Sequence, residues 1–173
     1  MTPPLPRDTR LMLRDVNTVG WHAAIVEPDH AHHGWAFSVG FTQTYQHPEI
    51  AVFGLPHDVL RAVLDAIAQS LQAGCSYADG QEDVLLAPPY RCVFRGIDEA
   101  WRDRLLPDAS WFYGARPFPA LQLVWPDRSH RLPWDEAFDV GLASFQPLLF
   151  HADATAARVT AFLDRDPLRG GAG

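Results

Sequence analysis

Residues 35–42 alternate strictly between large apolar side chains and small ones, as in a half-buried β-strand. Alternate side chains of a strand point to opposite faces. The large set is Trp35, Phe37, Val39 and Phe41, and the small set is Ala36, Ser38, Gly40 and Thr42. The face of small side chains would let either a packed helix or a bound ligand approach the backbone closely. The pattern alone leaves both interpretations open.

Two further strands are predicted next to this one in the sequence. Residues 20–27 place Trp21, Ala23 and Ile25 on one face, and residues 49–54 form a short apolar run. The connections between the three strands are short, with a turn predicted at residues 42–48. We therefore expect an antiparallel meander.

The clearest helical pattern follows at residues 56–73. Apolar residues recur there at spacings of three and four, Pro56 suits the first turn, and Gly74 suits the end. This helix needs a sheet to pack on, and the face of small residues is available. Later patterns predict strands at 83–86, 90–97 and 120–125, helices at 98–106 and 152–164, and a short helical or irregular stretch near 135–149.

These elements predict an α+β fold. It would be an antiparallel sheet or small barrel, built as a meander, with one long helix packed on it and several short helices. The length of 173 residues suits a single domain, which we expect at residues 13–166. We expect a loose N-terminal arm at residues 1–12 and a disordered tail at residues 167–173.

Charge and composition narrow the classes of function. The formal net charge is −7, and all 14 basic residues are Arg. An acidic chain without a basic cluster argues against a nucleic-acid partner. The absence of Lys excludes Schiff-base chemistry and a Walker-type phosphate loop. We expect a cytoplasmic protein with no membrane partner, because Cys75 and Cys92 suit reduced thiols and neither a signal peptide nor a spanning segment is evident.

Five of the eight histidines fall between residues 22 and 47, and imidazole is a common metal ligand. His30, His32 and His33 lie in a predicted surface loop, where solvated polar residues are ordinary. No zinc-type ligand spacing accompanies them. We assign no metal site, and metal binding by this cluster stays an alternative.

The turn at residues 47–49 is a candidate for acid–base chemistry. His47 and Glu49 would provide the acid and the base or orient a ligand. The alternative is a polar turn fixed by Pro48, after which Glu49 simply begins a strand. Because nucleophile-elbow and dinucleotide-binding motifs are absent, the sequence leaves open whether the protein is an enzyme.

A second set of residues suits a ligand site. Arg116 lies among aromatic residues, which suits a flat anionic ligand and equally a loop pinned to the core. Hydroxyls on and after the strand at 35–42 would donate hydrogen bonds, and a Trp would stack on a ring. The candidate ligand-binding residues are Ser38, Thr42, Thr44, Trp111, Tyr113, Arg116 and Trp125.

Two blocks of sequence resemble a bacterial family. The first contains GWH at 20–22, FSVGFT at 37–42 and HPEIAVFGLP at 47–56, and the second contains LQLVWPD at 121–127, LPW at 132–134 and QP at 146–147. In this order they resemble the family catalogued as domain of unknown function 4262. The family more often has Tyr-Thr where Phe37 and Ser38 stand, so a phenol hydroxyl is missing here. The resemblance implies no activity, because the family name carries none.

The order of strand, turn, strand and helix also resembles the flavin-binding split barrels, in pattern only. That likeness would imply a flavin cofactor and a homodimer. Our first hypothesis is therefore a domain that binds a small anionic or aromatic ligand, with flavin or a nucleotide as examples. The second is a non-catalytic interaction or immunity-type module that uses residues 111–118. The third is a His-dependent metal-binding enzyme.

Overall fold

The computed structural model describes residues 8–150, except residues 31, 87–89 and 115. Within this part of the chain, six strands form one open sheet that is connected and covered by helices. In chain order the elements are α1 (Thr9–Val19), β1 (His22–Val26), β2 (Trp35–Val39), α2 (Phe41–Tyr45), β3 (Glu49–Phe53), α3 (His57–Gln72), β4 (Glu82–Leu86), β5 (Tyr90–Gly96), α4 (Glu99–Leu105), α5 (Pro107–Tyr113), β6 (Ala120–Val124) and a 3₁₀ helix (Val140–Leu142). The predicted α+β class is confirmed, and the sheet is open and does not close into a barrel.

The sheet has the order β1-β2-β3-β6-β5-β4. Neighbouring strands are antiparallel except β3 and β6, which run parallel with Glu49 beside Ala120 and Val52 beside Leu123. The predicted meander β1-β2-β3 is present, and β6 joins it to the β4–β5 hairpin. Every residue of β6 is buried, because the strand is paired on both sides and covered on both faces.

Helices cover both faces of the sheet. On the α3 side, the apolar stripe of this helix packs against strand residues that include Ala36, Ile50, Val52 and Leu123. On the opposite side, α4 and α5 pack against Trp35, Phe37, Val39, Ala51 and Phe53. Ala36 is fully buried beneath α3, so this part of the small-residue face is the bed of a helix.

The strand predicted at residues 35–42 ends early, at Val39. Gly40 has a φ of +109°, a conformation that favours glycine, and a Cβ there would lie 2.8 Å from the carbonyl oxygen of Gly20. A new helix, α2, begins at the next residue, so Phe41 packs on Trp21 on the α3 side. Val39 lies on the opposite side. The prediction that Phe41 shares a face with Val39 was therefore wrong.

The helix α1 has no counterpart among the predicted elements. It begins after Asp8, whose carboxylate accepts a hydrogen bond from the Leu11 amide at 2.9 Å, and it ends at Gly20. Met12 is fully buried against the α4–α5 side of the sheet. Residues 9–12 of the expected loose arm thus lie in a packed helix, whereas the helix expected at 152–164 and the expected tail lie outside the described residues. Among the helices that are described, none has both the length and the apolar character needed to cross a bilayer.

Candidate functional site

A buried carboxylate, that of Glu49, lies where β2 ends and β3 begins. Its Oε1 accepts hydrogen bonds from the amides of Gly40 at 3.1 Å and Thr42 at 3.0 Å, and from the phenol of Tyr113 at 2.5 Å. Its Oε2 accepts one from the hydroxyl of Ser38 at 2.5 Å. The carboxylate therefore connects β2, α2, β3 and α5.

Burial and hydrogen bonding act on Glu49 in opposite directions. The pKa of the carboxyl is raised, because loss of hydration outweighs the hydroxyl and amide donors that favour the charged form. The pKa of Tyr113 is also raised, first by burial and then by the nearby Glu49. The phenol thus keeps its proton and donates a hydrogen bond to Glu49. An acceptor that is surrounded by fixed donors on every side is suited to holding the fold together.

His47, the other half of the candidate acid–base pair, has different partners. Its Nδ1 lies 2.7 Å from the carbonyl oxygen of Pro48, and its Nε2 lies 2.9 Å from the amide nitrogen of Tyr77. Since an amide can only donate, Nε2 is the acceptor and Nδ1 carries the proton. Burial lowers the pKa of His47, which agrees with a neutral ring. Both nitrogens of the ring are thus used inside the fold.

The hydroxyls that were predicted to bind a ligand also form hydrogen bonds within the protein. Ser38 and Tyr113 bond to Glu49, as described above. The Thr42 hydroxyl donates to the carbonyl oxygen of His47 at 2.9 Å, and the Thr44 hydroxyl donates to that of Gly20 at 2.5 Å. The structure therefore brings Ser38, Thr42 and Tyr113 together around Glu49. The Thr44 hydroxyl lies elsewhere, against the backbone at the C-terminal end of α1.

The other three predicted ligand-binding residues lie in two places. Arg116 is exposed beside Tyr113, with its Nε donating to the Tyr113 carbonyl oxygen at 3.4 Å. Trp111, on α5, packs half-buried against the α4–α5 side of the sheet. Trp125 lies beyond the far end of β6, where its indole N–H donates to the carbonyl oxygen of Phe53 at 2.7 Å. The structure does not bring Trp125 together with the rest.

A cavity of about 290 Å³ opens at this far end of the sheet. It lies where β1 and β3 end and β2 begins, and the first turn of α3 forms one of its sides. Much of the wall is apolar and includes Ile25, Val26, Leu55 and Leu60. Phe145 forms another part of the wall and has Trp125 against it, with ring centroids 6.4 Å apart.

Among the residues that the structure describes, three ionisable side chains line this cavity: Glu27, His33 and His57. The Glu27 carboxylate lies 2.7 Å from Nδ1 of His57, and these side chains are 64% and 57% exposed, respectively, so the pair is at the mouth. The His33 ring stacks on Phe145 with centroids 3.6 Å apart and planes 8° apart. The cavity therefore combines an apolar interior, a flat aromatic wall and a polar mouth.

Gly54 lets two backbone segments approach each other closely beside the cavity. Gly54 has a φ of +75°, and a Cβ there would lie 2.2 Å from the carbonyl oxygen of Phe145. Its amide donates to the Gly34 carbonyl oxygen at 2.8 Å, which ties β3's end to the loop before β2. Sequence reasoning missed this site, because the described residues of its walls come from four separate segments. The available local signal was the GLP at residues 54–56, a turn between a strand and a helix.

In the described part of the histidine-rich loop, His32 and His33 pack against aromatic side chains. His32 lies edge-on to Trp35, with centroids 4.9 Å apart, and its Nδ1 lies 3.1 Å from the carbonyl oxygen of His33. His30 is exposed. Within the described residues, no three His, Cys, Asp or Glu side chains are grouped so that they could hold a metal ion.

Comparison with protein families gives a match. The family model described as Domain of unknown function (DUF4262) matches residues 15–139. The chain belongs to the DUF4262 family. The match runs from α1 through all six strands of the sheet, so this DUF4262 chain carries both the Glu49 network and most of the cavity wall inside the family region. Comparison with curated proteins and with solved structures finds no match to it.

Proposed function

We propose that this DUF4262 chain binds a small molecule in the cavity at the end of β1 and β3. The observation that carries the proposal is the cavity of about 290 Å³, with its apolar wall and its polar groups at the mouth. Ligand sites in proteins are typically concave, mainly apolar and supplied with a few polar groups that orient the ligand. The volume is near the lower end of their usual range, so a compact ligand of one or two rings is favoured.

The Glu49 end of the sheet supports binding less well. The side chains predicted to bind a ligand there, Ser38, Thr42 and Tyr113, already donate to groups of the fold. A ligand that took their hydrogen bonds would leave buried groups of the protein unpaired. Trp125 is the member of the predicted set that adjoins the cavity, through its contact with Phe145.

Flavin and nucleotide ligands are narrower versions of the proposal. Phosphate groups are commonly held by Arg, and among the described residues no Arg lines the cavity. The visible absorption spectrum of the purified protein tests the flavin version. Flavin bands would support it, and a colourless protein that flavin mononucleotide does not stabilise would contradict it.

We also propose that the protein works in the reducing cytoplasm. Cys75 is an exposed free thiol and Cys92 a buried one. Burial raises the pKa of Cys92 to about 12, which makes its thiol unreactive. An exposed thiol such as Cys75 remains reduced in a reducing compartment. Thiol labelling in intact cells tests this. A reduced Cys75 takes up the label, whereas a Cys75 that is already oxidised does not and would contradict the proposal.

Thermal unfolding with a collection of one- and two-ring compounds tests the binding proposal. A compound that binds the native state raises the melting temperature, and at 100 times its Kd it adds about 2.7 kcal/mol of stability. The variant Leu55→Trp places an indole in the cavity and should abolish these shifts. The matched control Leu13→Trp makes the same change on the exposed side of α1, where Leu13 is 38% exposed, and should keep them.

The proposal fails if no compound stabilises the wild type. It also fails if the compounds stabilise the Leu55→Trp variant as well as they stabilise the control, because they would then bind elsewhere.

A further inference from the structure

The stacked pair His33 and Phe145 gives the cavity one flat wall. The planes of the two rings are only 8° apart, and both residues line the cavity. Trp125 meets Phe145 nearly at right angles, at 83°, and so fixes its orientation. A ring that enters the cavity would contact these aromatic side chains in the offset or edge-on arrangements that aromatic pairs prefer. The wall therefore favours a flat aromatic group.

The charge at the mouth favours a cation. Glu27 is the carboxylate among the described residues that line the cavity, and its Oε1 is the atom that meets His57. Within the part of the chain that the structure describes, Oε2 of Glu27 has no hydrogen-bond partner. A carboxylate accepts bonds at both oxygens, so Oε2 can accept from an ammonium group. The net charge of −7 also draws cations toward the protein.

An anion would meet less favourable surroundings. The sequence has no Lys, and no Arg is among the described residues that line the cavity. His57 is a potential donor at the mouth, and its Nδ1 already faces the Glu27 carboxylate.

Resting on the proposed function, we infer that the cavity selects a small aromatic amine in its cationic form. The ring lies against His33 and Phe145, and the ammonium group donates to Glu27. The apolar residues around them exclude larger polar ligands.

Three probes that share one ring and differ in charge test this selection: benzylamine, benzyl alcohol and benzoate. Their Kd values are measured by NMR titration at low ionic strength, where exposed charge pairs are least screened. We expect benzylamine to bind up to about fivefold more tightly than benzyl alcohol, the range of an exposed ion pair, and benzoate to bind most weakly.

Variants separate the charge from the ring. Glu27→Gln should remove the preference for benzylamine over benzyl alcohol, so that the two Kd values become equal. The matched control Glu99→Gln, at a carboxylate that is 86% exposed on α4, should keep the preference. His33→Ala should weaken the binding of benzylamine and of benzyl alcohol to the same extent, because the flat wall is lost.

The outcomes distinguish this inference from the proposed function. If Leu55→Trp blocks benzyl alcohol but the charge order is absent or reversed, the selection of a cation is wrong and the cavity still binds ligands. If none of the three probes binds the wild type, the selection of an aromatic amine is wrong, and the wider set of compounds decides the proposed function.

Discussion

The two ends of the β2–β3 hairpin differ in what their residues do: one end forms a buried hydrogen-bond network, and the other borders a cavity. At one end, a single buried carboxylate, Glu49, is surrounded by donors from β2, α2 and α5, and its polar atoms face the protein. At the other end, the backbone at Gly54 closes around an apolar cavity whose carboxylate, Glu27, is exposed at the mouth. The difference teaches that a cluster of polar residues in a sequence can serve the fold alone. Space for a ligand arises here where backbone segments meet.

Removing the carboxylate should have the largest effect on stability. Glu49→Ala leaves two amides and two hydroxyls without their acceptor, so we expect the free energy of unfolding to fall by about 3 kcal/mol or more. Glu49→Gln keeps one acceptor oxygen and should lose less, about 1–3 kcal/mol. Urea unfolding measures both values. A loss below about 1 kcal/mol for Glu49→Ala would contradict the structural role of this end.

Removing one donor should have the next largest effect. Tyr113→Phe deletes the phenol that bonds to Glu49 and should lower the free energy of unfolding by about 1–3 kcal/mol, the range for a buried group that loses its hydrogen-bond partner. The matched control is Tyr45→Phe, whose hydroxyl meets Gln72 at the surface at 3.1 Å. It should change stability by less than about 0.5 kcal/mol. Equal losses in the two variants would show that the bond to Glu49 contributes no more to stability than a hydrogen bond at the surface.

The pH dependence of stability tests His47. Its pKa is lowered in the folded state from an ordinary value of 6.5, so as pH falls below this value the unfolded chain takes up the proton first. The contribution of His47 to the free energy of unfolding should therefore fall with pH from 6.5 downward until the folded ring is protonated, by at most about 1.4 kcal/mol per pH unit.

His47→Gln supplies the comparison for this slope. The Gln side chain carries an acceptor for the Tyr77 amide but does not titrate, so its curve between pH 6.5 and 5 should be flatter than that of the wild type. His32 contributes in the same direction in both proteins, because burial lowers its pKa as well. Identical slopes would show that His47 does not become protonated on unfolding.

Filling the cavity should have the smallest effect on stability. Leu55→Trp adds a ring where there is empty space, so we expect a change within about 1 kcal/mol in urea unfolding. Ala36→Leu adds volume where α3 already packs tightly and should cost about 1–3 kcal/mol. If the Leu55→Trp variant is the less stable of the two, the cavity is not open enough to accept a ring.

Hydrophobic periodicity was sufficient to predict most of the sheet and the helix α3. It failed at Gly40, because the alternation of large and small residues continues to Thr42 while the backbone turns. Helix α1 was missed although Asp8 and Gly20 are standard helix-end residues. The charged, Pro-rich start of the sequence favoured an arm instead. The parallel pairing of β3 with β6 leaves no local signal, since the partners are about 70 residues apart in sequence.

The candidate site was harder to predict than the fold. The sequence indicated Ser38, Tyr113 and Glu49 as separate candidates, but their joint role depends on a contact between residues 49 and 113. The cavity depends on Phe145 reaching the backbone of Gly54, a contact between distant segments. Short-range patterns carry no information about such contacts, so the stacked wall of His33 and Phe145 could not be foreseen.

The place of β6 in the sheet has a consequence for how the chain folds. This strand lies between β3 and β5 but is made after both of them. The meander and the hairpin can each form from neighbouring residues, whereas joining them requires closure of a long loop, which is slow. During synthesis, the apolar edge of β3 therefore stays unpaired until residues 120–124 have left the ribosome. In that interval an unpaired strand of another nascent chain can occupy the same edge.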